Sequence, residues 1–449
     1  MQTIEELAAA LAAGATTSRA LVEDSLARIA DPAGQGAHAF TAVHAEAARG
    51  MADAADAMRR AGRAPGRYAG IPFGVKDLFD IAGETTRAGS RVLDDAPPAA
   101  ATAPTVARMV AAGFVPVGRT NMTEFAFSGL GINPHYGTPL APWDRPPRDS
   151  AAGRIPGGSS SGTGVAVADG MVATALGTDT GGSCRIPAAF CGIVGVKPTA
   201  RRIPLAGALP LAPSLDSIGP LAPSVACCAA IDAVLAAEPP ALPVAASLAG
   251  LRLAVPDALL DGMDETVATA FARALAVLSV AGARIQHVSF AAFARIAEAN
   301  ATGGFAAAEA YAWHRQLLAA KGAFYDPRIR LRIERGARLT AADYIDLLAA
   351  RRRIIADFDA ETAGFDALVL PTVPIVPPRI ADLDAETEYN RLNMLILRNA
   401  APANFLDRCA ISLPCHRPGE PPVGLMLMGE TMGDRRLFAI AAAVEAALA

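Results

Sequence analysis

The chain has few of the residues and runs that announce several common chemistries. Its 449 residues include six histidines and six cysteines, with no H-x-x-x-H or clustered His/Cys/carboxylate spacing. Metal catalysis therefore has no support, and no metal or cofactor is expected. Cys184, Cys191, Cys227, Cys228, Cys409 and Cys415 form neither a CxxC pair nor a dense framework. They read as buried small apolar residues in a reducing compartment, and the protein as cytoplasmic. No G-x-G-x-x-G follows a strand-like run and no Gly-rich loop ends in Lys-Ser/Thr, so dinucleotide and P-loop phosphate binding fall away. No window of about 18 apolar residues escapes a charge or a Gly/Pro break, and no membrane span is expected. Met1 to Glu6 has early acids where a secretory signal would have bases, so no cleaved signal is expected. A formal net charge of −4 gives no electrostatic reason for a nucleic-acid or anionic-membrane partner.

What is present is a composition fit for a large core: 52% of residues are apolar and 19% charged. Helical patterns are expected over Glu5 to Ala13, from a Thr17 or Ser18 cap through Ile29, and over Ala45 to Arg60. Strand-like runs follow at Gly70–Val75 and Phe114–Val117, flanking a helical Thr105–Ala112. Residues 128–162 are rich in Gly, Pro and Ser and lack periodicity, which in a compact domain suggests a functional loop. The Ala/Val-rich stretch 163–177 suits either a helix or a buried core segment. Further on, helical patterns (224–237, 265–281, 341–358) alternate with apolar runs (251–255, 366–370, 423–428). That alternation argues for an α/β fold with a buried, largely parallel or mixed sheet. A subdomain edge is conceivable around 238–250, but one domain over residues 1–449 is the preferred reading.

Two Gly/Ser clusters stand out, Gly157-Gly158-Ser159-Ser160-Ser161-Gly162 and Gly177-Thr178-Asp179-Thr180-Gly181-Gly182-Ser183. A serine hydroxyl needs a group to take its proton, and an acyl-transfer site needs N–H groups facing the developing oxyanion. Glycines let successive N–H groups point one way. Isolated clusters of this kind are usually exposed flexible loops, but these adjoin the core-like runs Val165–Leu176 and Ile186–Val196. Gly158-Ser159-Ser160-Ser161-Gly162 also matches the G-x-S-x-G nucleophile elbow, with Ser160 as nucleophile. That motif requires a preceding strand, which residues 151–156 do not suggest, and a histidine base. His287, His314 and His416 are available in chain order, none in a compelling context.

Lys76 closes the apolar run Ile71-Pro72-Phe73-Gly74-Val75. Such a lysine is either snorkelling or paired, with Asp77 at hand, or it is desolvated and able to act as a base near neutral pH.

Together these residues resemble the amidase signature hydrolases. Gly157 to Gly164, then Gly177-Thr178-Asp179-Thr180-Gly181-Gly182-Ser183-Cys184-Arg185-Ile186-Pro187-Ala188, follow that family's pattern. Gly70 to Asp77 resembles its lysine segment. Gly118 to Phe125, Gly195 to Thr199, Ser214 to Pro220 and Pro422 to Leu425 extend the match, with the signature core at about 70–220. The resemblance implies a single α/β/α domain around a large mixed sheet. It implies Ser183 as nucleophile, Ser159 on a cis peptide as the bridging serine, and Lys76 as the neutral base. Backbone N–H groups of Thr180, Gly181, Gly182 and Ser183 would form the oxyanion hole, with Asp179 and Arg185 bracing the turn. The implied reaction is hydrolysis of a small carboxylic amide, or an ester, through an acyl-enzyme.

Within the family, the glutaminase (A) component of glutamyl-tRNA amidotransferase is the rival to a stand-alone amidase. Asn404-Phe405-Leu406-Asp407-Arg408-Cys409 departs from the family's usual Asn-Leu-Ala-Gly-Leu-Pro, and Leu397 stands where those components carry an acid. A stand-alone enzyme on a small-molecule amide is favoured, and the resemblance allows a homodimer, common among relatives; a non-catalytic scaffold is the remote alternative. Arg332, in favour of the rival, lies where a carboxylate-binding arginine would be expected. Phe125, Phe127, Tyr136, Trp143, Tyr311 and Trp313 are candidate acyl-site walls or core residues, and Asp407 and Arg408 either meet a polar substrate end or pair with each other.

Overall fold

Uninterrupted burial, rather than alternation, marks the strands at the centre of the molecule. The computed structural model describes residues 1–146 and 152–449. Among these, eleven strands form one mixed sheet: β1 (Phe40–Val43), β2 (Pro72–Lys76), β3 (Val115–Thr120), β4 (Thr174–Asp179), β5 (Val194–Lys197), β6 (Ser217–Ala222), β7 (Arg252–Pro256), β8 (Arg284–Val288), β9 (Ala367–Pro371), β10 (Ala410–Pro414) and β11 (Gly424–Met428). Their order is β1-β3-β2-β4-β6-β5-β10-β11-β9-β7-β8. Every residue of β2, β4, β5, β6, β9 and β11 is buried, whereas edge strand β8 is largely exposed or half-buried. That is the pattern of a sheet covered on both faces. Successive residues accordingly feed different cores: Val75 and Leu176 one, Val117 and Ala175 another.

The sheet is mixed, as the alternation of patterns allowed. β2 runs parallel to β3 and β4, and β7 parallel to β8 and β9, while the pairings between β4 and β9 are antiparallel. Strands on both sides of residues 238–250 belong to this one sheet, so that segment does not divide the fold.

Local signals explain the helices near the N-terminus. Thr3 and Glu6 form a reciprocal capping box on Ile4–Ala12, and Thr17 Oγ1 accepts the Ala20 N–H at the head of Ser18–Ala30. The Ala45–Arg60 helix has the expected bounds. The ambiguous stretch 163–177 is two elements, helix Ser161–Ala168 and strand β4. Gly170, at φ +66°, takes the left-handed turn that separates them. The long loop has no helix or strand between Phe127 and Ser160 among its described residues; residues 147–151 of it lie outside the described residues.

Candidate active site

The parallel pairing of β2 with β4 brings the first two signature segments together. Val75 lies opposite Leu176, so Lys76 and Thr178 meet just beyond the last paired residues. Lys76 is fully buried, and its Nζ donates to Ser159 Oγ at 2.8 Å and Thr178 Oγ1 at 2.9 Å. It makes no salt bridge among the described residues. Asp77, the neighbour that offered pairing, faces the other way, accepting from Gly89 N at 3.0 Å and lying 3.7 Å from Arg119. Strand alternation is the reason. Burial pulls the Lys76 amine down to about 8, while Cys184, Asp179 and Asp216 oppose the shift.

Ser159 and Ser183 sit on adjoining loops at this end of the sheet. The Gly158–Ser159 peptide is cis, and Ser159 is wholly buried just before helix Ser161–Ala168. Ser183 is 4% exposed, between β4 and helix Arg185–Cys191. The Ser160 N–H donates to the Ser183 carbonyl at 3.3 Å and so fastens the two loops together. Lys76, Ser159, Thr178 and Ser183 are thereby gathered in one place.

Asp179 holds the second loop from inside. Its carboxylate accepts from Gly182 N (2.8 Å), Cys184 N (3.0 Å), Arg185 Nε and Nη2 (3.0 and 2.8 Å) and Asn404 Nδ2 (2.9 Å). Burial pushes this carboxyl up, but the Arg185 charge and the hydrogen bonds from Arg185 and Asn404 outweigh it and hold it well below the usual range. The Gly182 N–H, one of the four amides expected at the oxyanion, donates to Asp179 Oδ1. Gly182 also matters for its backbone: φ is +128°, and a Cβ would meet Ile186 Cδ1 at 2.6 Å and Ala400 Cβ at 2.7 Å. The N–H groups of Thr180, Gly181 and Ser183 have no acceptor among the described residues.

The remaining candidates disperse. Arg332, on helix Pro327–Glu334, is partly buried with its Cζ 5.0 Å from the Phe127 ring centroid. It makes no salt bridge among the described residues, its Nε is sealed off without a partner, and burial pulls it down to about 10. Next to Phe127, Ser128 Oγ and Gly129 N donate to Asn393 Oδ1, both at 2.9 Å. Leu397 packs against Gly129 and Gly181 and puts apolar carbon beside the second glycine-rich loop. Phe125 lies in an aromatic cluster with His314, Tyr325 and Trp313, His314 being 4.4 Å away between ring centroids. Tyr136 is half-buried, its hydroxyl 3.5 Å from Asp94 Oδ1. Asp407 is committed to Ala200 N (3.2 Å) and Arg201 (2.8 Å), and Arg408 to Asp359 and Thr362, so these two do not pair with each other. A cavity of about 250 Å³ adjoins the site, lined by Leu78, Ala126, Thr178, Thr180, Leu211 and Asp216 among others. A larger surface cleft of about 640 Å³, lined by Leu26, Phe40 and Arg49, touches none of these residues.

Ser160 has no histidine partner; its Oγ donates to the Thr178 carbonyl at 3.5 Å. His287 pairs with Asp257 on the edge strand, His314 with Tyr325, and His416 with the Val423 backbone. Thr178, Asp216, Asn393 and Asn404 are the site neighbours the sequence did not single out. Thr178 and Asp216 lie inside segments already matched to the family, which was the available signal; Asn404 opens the segment that departs from it, and Asn393 carried none.

Comparison with known proteins agrees with this geometry. The Amidase family profile matches residues 20–438. The 2-amino-5-chloromuconic acid deaminase of Comamonas testosteroni is 38% identical over 405 residues, covering 89% of this chain and 86% of that protein. The glutamyl-tRNA(Gln) amidotransferase A component of Chloroflexus aggregans is 35% identical over 477 residues, covering 98% and 94%. A crystal structure of an amidase superposes with a TM-score of 0.89 at 32% identity, covering 99% of each chain. With a buried lysine on a serine beside a glycine-rich turn, and this likeness along nearly its whole length, the chain belongs to the amidase family and is a hydrolase of carbon–nitrogen bonds.

Proposed function

We propose that the protein hydrolyses a small carboxylic amide to a carboxylate and ammonia or an amine, through an acyl-enzyme on Ser183. The observation that carries this reading is the 2.8 Å contact of a buried, carboxylate-free Lys76 amine with Ser159 Oγ. A lysine pulled to about 8 is neutral often enough near neutral pH to reverse that bond and take the hydroxyl proton. Ser159 then takes the proton of Ser183 as Ser183 Oγ bonds to the amide carbonyl carbon. The oxyanion is met by the free N–H groups of Thr180, Gly181 and Ser183, each such donor contributing about 3–4 kcal/mol in comparable sites. Collapse breaks the C–N bond while Lys76 returns its proton through Ser159 to the leaving nitrogen. Water, deprotonated by the same relay, releases the acid and restores Ser183.

The substrate reading is an amide that carries a carboxylate at its remote end. Arg332 is a cation with no carboxylate among the described residues to answer it, and the relative from Comamonas testosteroni is itself named for an acid. A charged donor left in this state is suited to a planar anionic partner. The alternative is a glutaminase component of an amidotransferase-like complex, given the likeness to the Chloroflexus aggregans protein. Leu397 weighs against it, because the ammonium end of glutamine would meet apolar carbon. This favours an enzyme that works without such a complex.

Treatment with a fluorophosphonate, followed by intact mass and peptide mapping, tests the mechanism without knowledge of the substrate. A single adduct on Ser183 that disappears in Lys76→Ala is the expected result. An adduct on Ser160, or none on the native protein, overturns it.

A further inference from the structure

The loop expected to receive the oxyanion has little of its own to hold it. Gly181 and Gly182 carry no side chains, so their orientation is set by the residues at either end. Asp179 grips the far half through Gly182 N and Cys184 N. The near half is held by a second carboxylate. β4 and β6 are antiparallel with Asp179 opposite Ser217, so one step beyond the ladder Thr180 comes opposite Asp216. There Thr180 Oγ1 donates to Asp216 Oδ1 at 2.5 Å. The same carboxylate accepts from Leu211 N at 3.1 Å and Ala212 N at 3.1 and 3.2 Å. Both residues are buried, and both line the cavity beside the site, whose far wall is the segment around 205–213.

We propose that Asp216 is a positioning residue for amide hydrolysis: it anchors the Thr180 hydroxyl, fixes the direction of the N–H groups that follow, and ties the oxyanion loop to the wall of the adjoining cavity. This rests on the mechanism proposed above. A carboxylate needed only to close the 211–216 turn would be satisfied by the Leu211 and Ala212 amides and would have no use for Thr180. A misplacement of the loop by about 1 Å is enough to cost roughly a hundredfold in rate. The charge also has a reach of its own. Asp216, with Cys184 and Asp179, opposes the burial that lowers Lys76, and Asp216 is in turn faced by Thr180 and Glu309. Removing it lowers the Lys76 pKa further, so the acid limb of the rate profile moves to lower pH.

The test compares native enzyme, Asp216→Asn, Thr180→Val and Thr180→Ser by fluorophosphonate inactivation and by steady-state hydrolysis of an amide panel across pH. Asp216→Asn is expected to lower kcat about ten- to a hundredfold with KM changed less than about threefold, and to shift the acid limb downward. Thr180→Val should lower kcat similarly without moving the limb, and Thr180→Ser, which keeps the hydroxyl, should recover most of the loss. Native kcat and an unmoved limb in Asp216→Asn overturn the proposal. So does equal impairment of Thr180→Val and Thr180→Ser, a comparison that decides the matter even where Asp216→Asn does not fold. A native enzyme that takes no label on Ser183 overturns the mechanism itself, which a labelled native enzyme with unaffected variants does not.

Discussion

The ends of β2 and β5 present nearly the same electrostatic situation and opposite chemical ones. The sequence contains three lysines, and two of them, Lys76 and Lys197, close these strands fully buried. Burial pulls both amines down to about 8. Lys197 is further lowered by Arg185 and raised by Asp179, Asp407 and Cys409. The difference lies in what each ammonium touches. Lys76 meets two hydroxyls, Ser159 Oγ and Thr178 Oγ1, whereas Lys197 donates to the carbonyl of its neighbour Pro198 at 2.9 Å. A hydroxyl can hand over a proton and a carbonyl cannot. A depressed lysine is therefore a candidate base only where the group it faces has a proton to give.

The largest expected effect separates the two directly. Lys76→Ala should lower kcat/KM by about 10²- to 10⁴-fold, the usual contribution of a general base, and erase the rise in rate through pH about 8. Lys197→Met should keep that rise. Rates of ammonia release over an amide panel between about pH 6 and 10 measure both. Equal losses in the two variants would break the comparison.

The second effect is on stability, and here the two lysines should behave alike. Each folded-state pKa, about 8, lies below the ordinary 10.5. Between those values the unfolded chain binds more protons than the folded one, so stability rises with pH across that window and the penalty is complete below it. That penalty is roughly 3 kcal/mol per lysine by the linkage of pKa to free energy. Lys197→Met removes it and fits the same apolar volume, so it should raise the urea midpoint, and more at about pH 6.5 than at about pH 9.5. A gain independent of pH would mean that Lys197 is not titrating as its burial requires.

How much of this was legible in advance follows from the same contrast. Lys76, Ser159 and Ser183 were singled out by the family resemblance that the Gly/Ser segments and the apolar run before the lysine carry; the local sequence alone left several serines open as nucleophiles. The Ala45–Arg60 helix was readable because one face is polar and the other is not. The stretch 163–177 gave no period because helix Ser161–Ala168 and β4 are buried nearly all round. Helices Gly304–Lys321 and Glu386–Arg398, and strands β8 and β10, were not anticipated as elements. Pairings set by tertiary structure were out of reach. Nothing local says that Asp407 turns to Arg201 and Arg408 to Asp359, or that Asp179 takes up the Gly182 N–H.

Two arginines repeat the lesson for binding. Arg185 is buried and answered by Asp179, whereas Arg332 is answered by no carboxylate among the described residues. Arg332→Gln should raise KM about 10- to 100-fold for amides with a remote carboxylate, the range for a lost charged hydrogen bond, and change it little for neutral ones. Equal loss on both classes, read from KM and kcat separately, would assign Arg332 to holding Phe127 and its loop rather than to the substrate.

The smallest expected effect sharpens the first comparison. Of the two hydroxyls on Lys76, only Ser159 lies on the proposed proton path; Thr178 fixes the amine and borders the adjoining cavity. Thr178→Val keeps the shape and removes one acceptor, at a net cost of about 1 kcal/mol for the lost hydrogen bond. The hydrogen bond from Nζ to Thr178 favours the charged amine, so its loss lowers the Lys76 pKa. The acid limb should move to lower pH while the plateau rate falls only a fewfold. Ser159→Ala, by contrast, should remove the plateau itself. If Thr178→Val instead cost as much as Ser159→Ala with no movement of the limb, the proton would be travelling through Thr178, and the two hydroxyls would have to exchange roles.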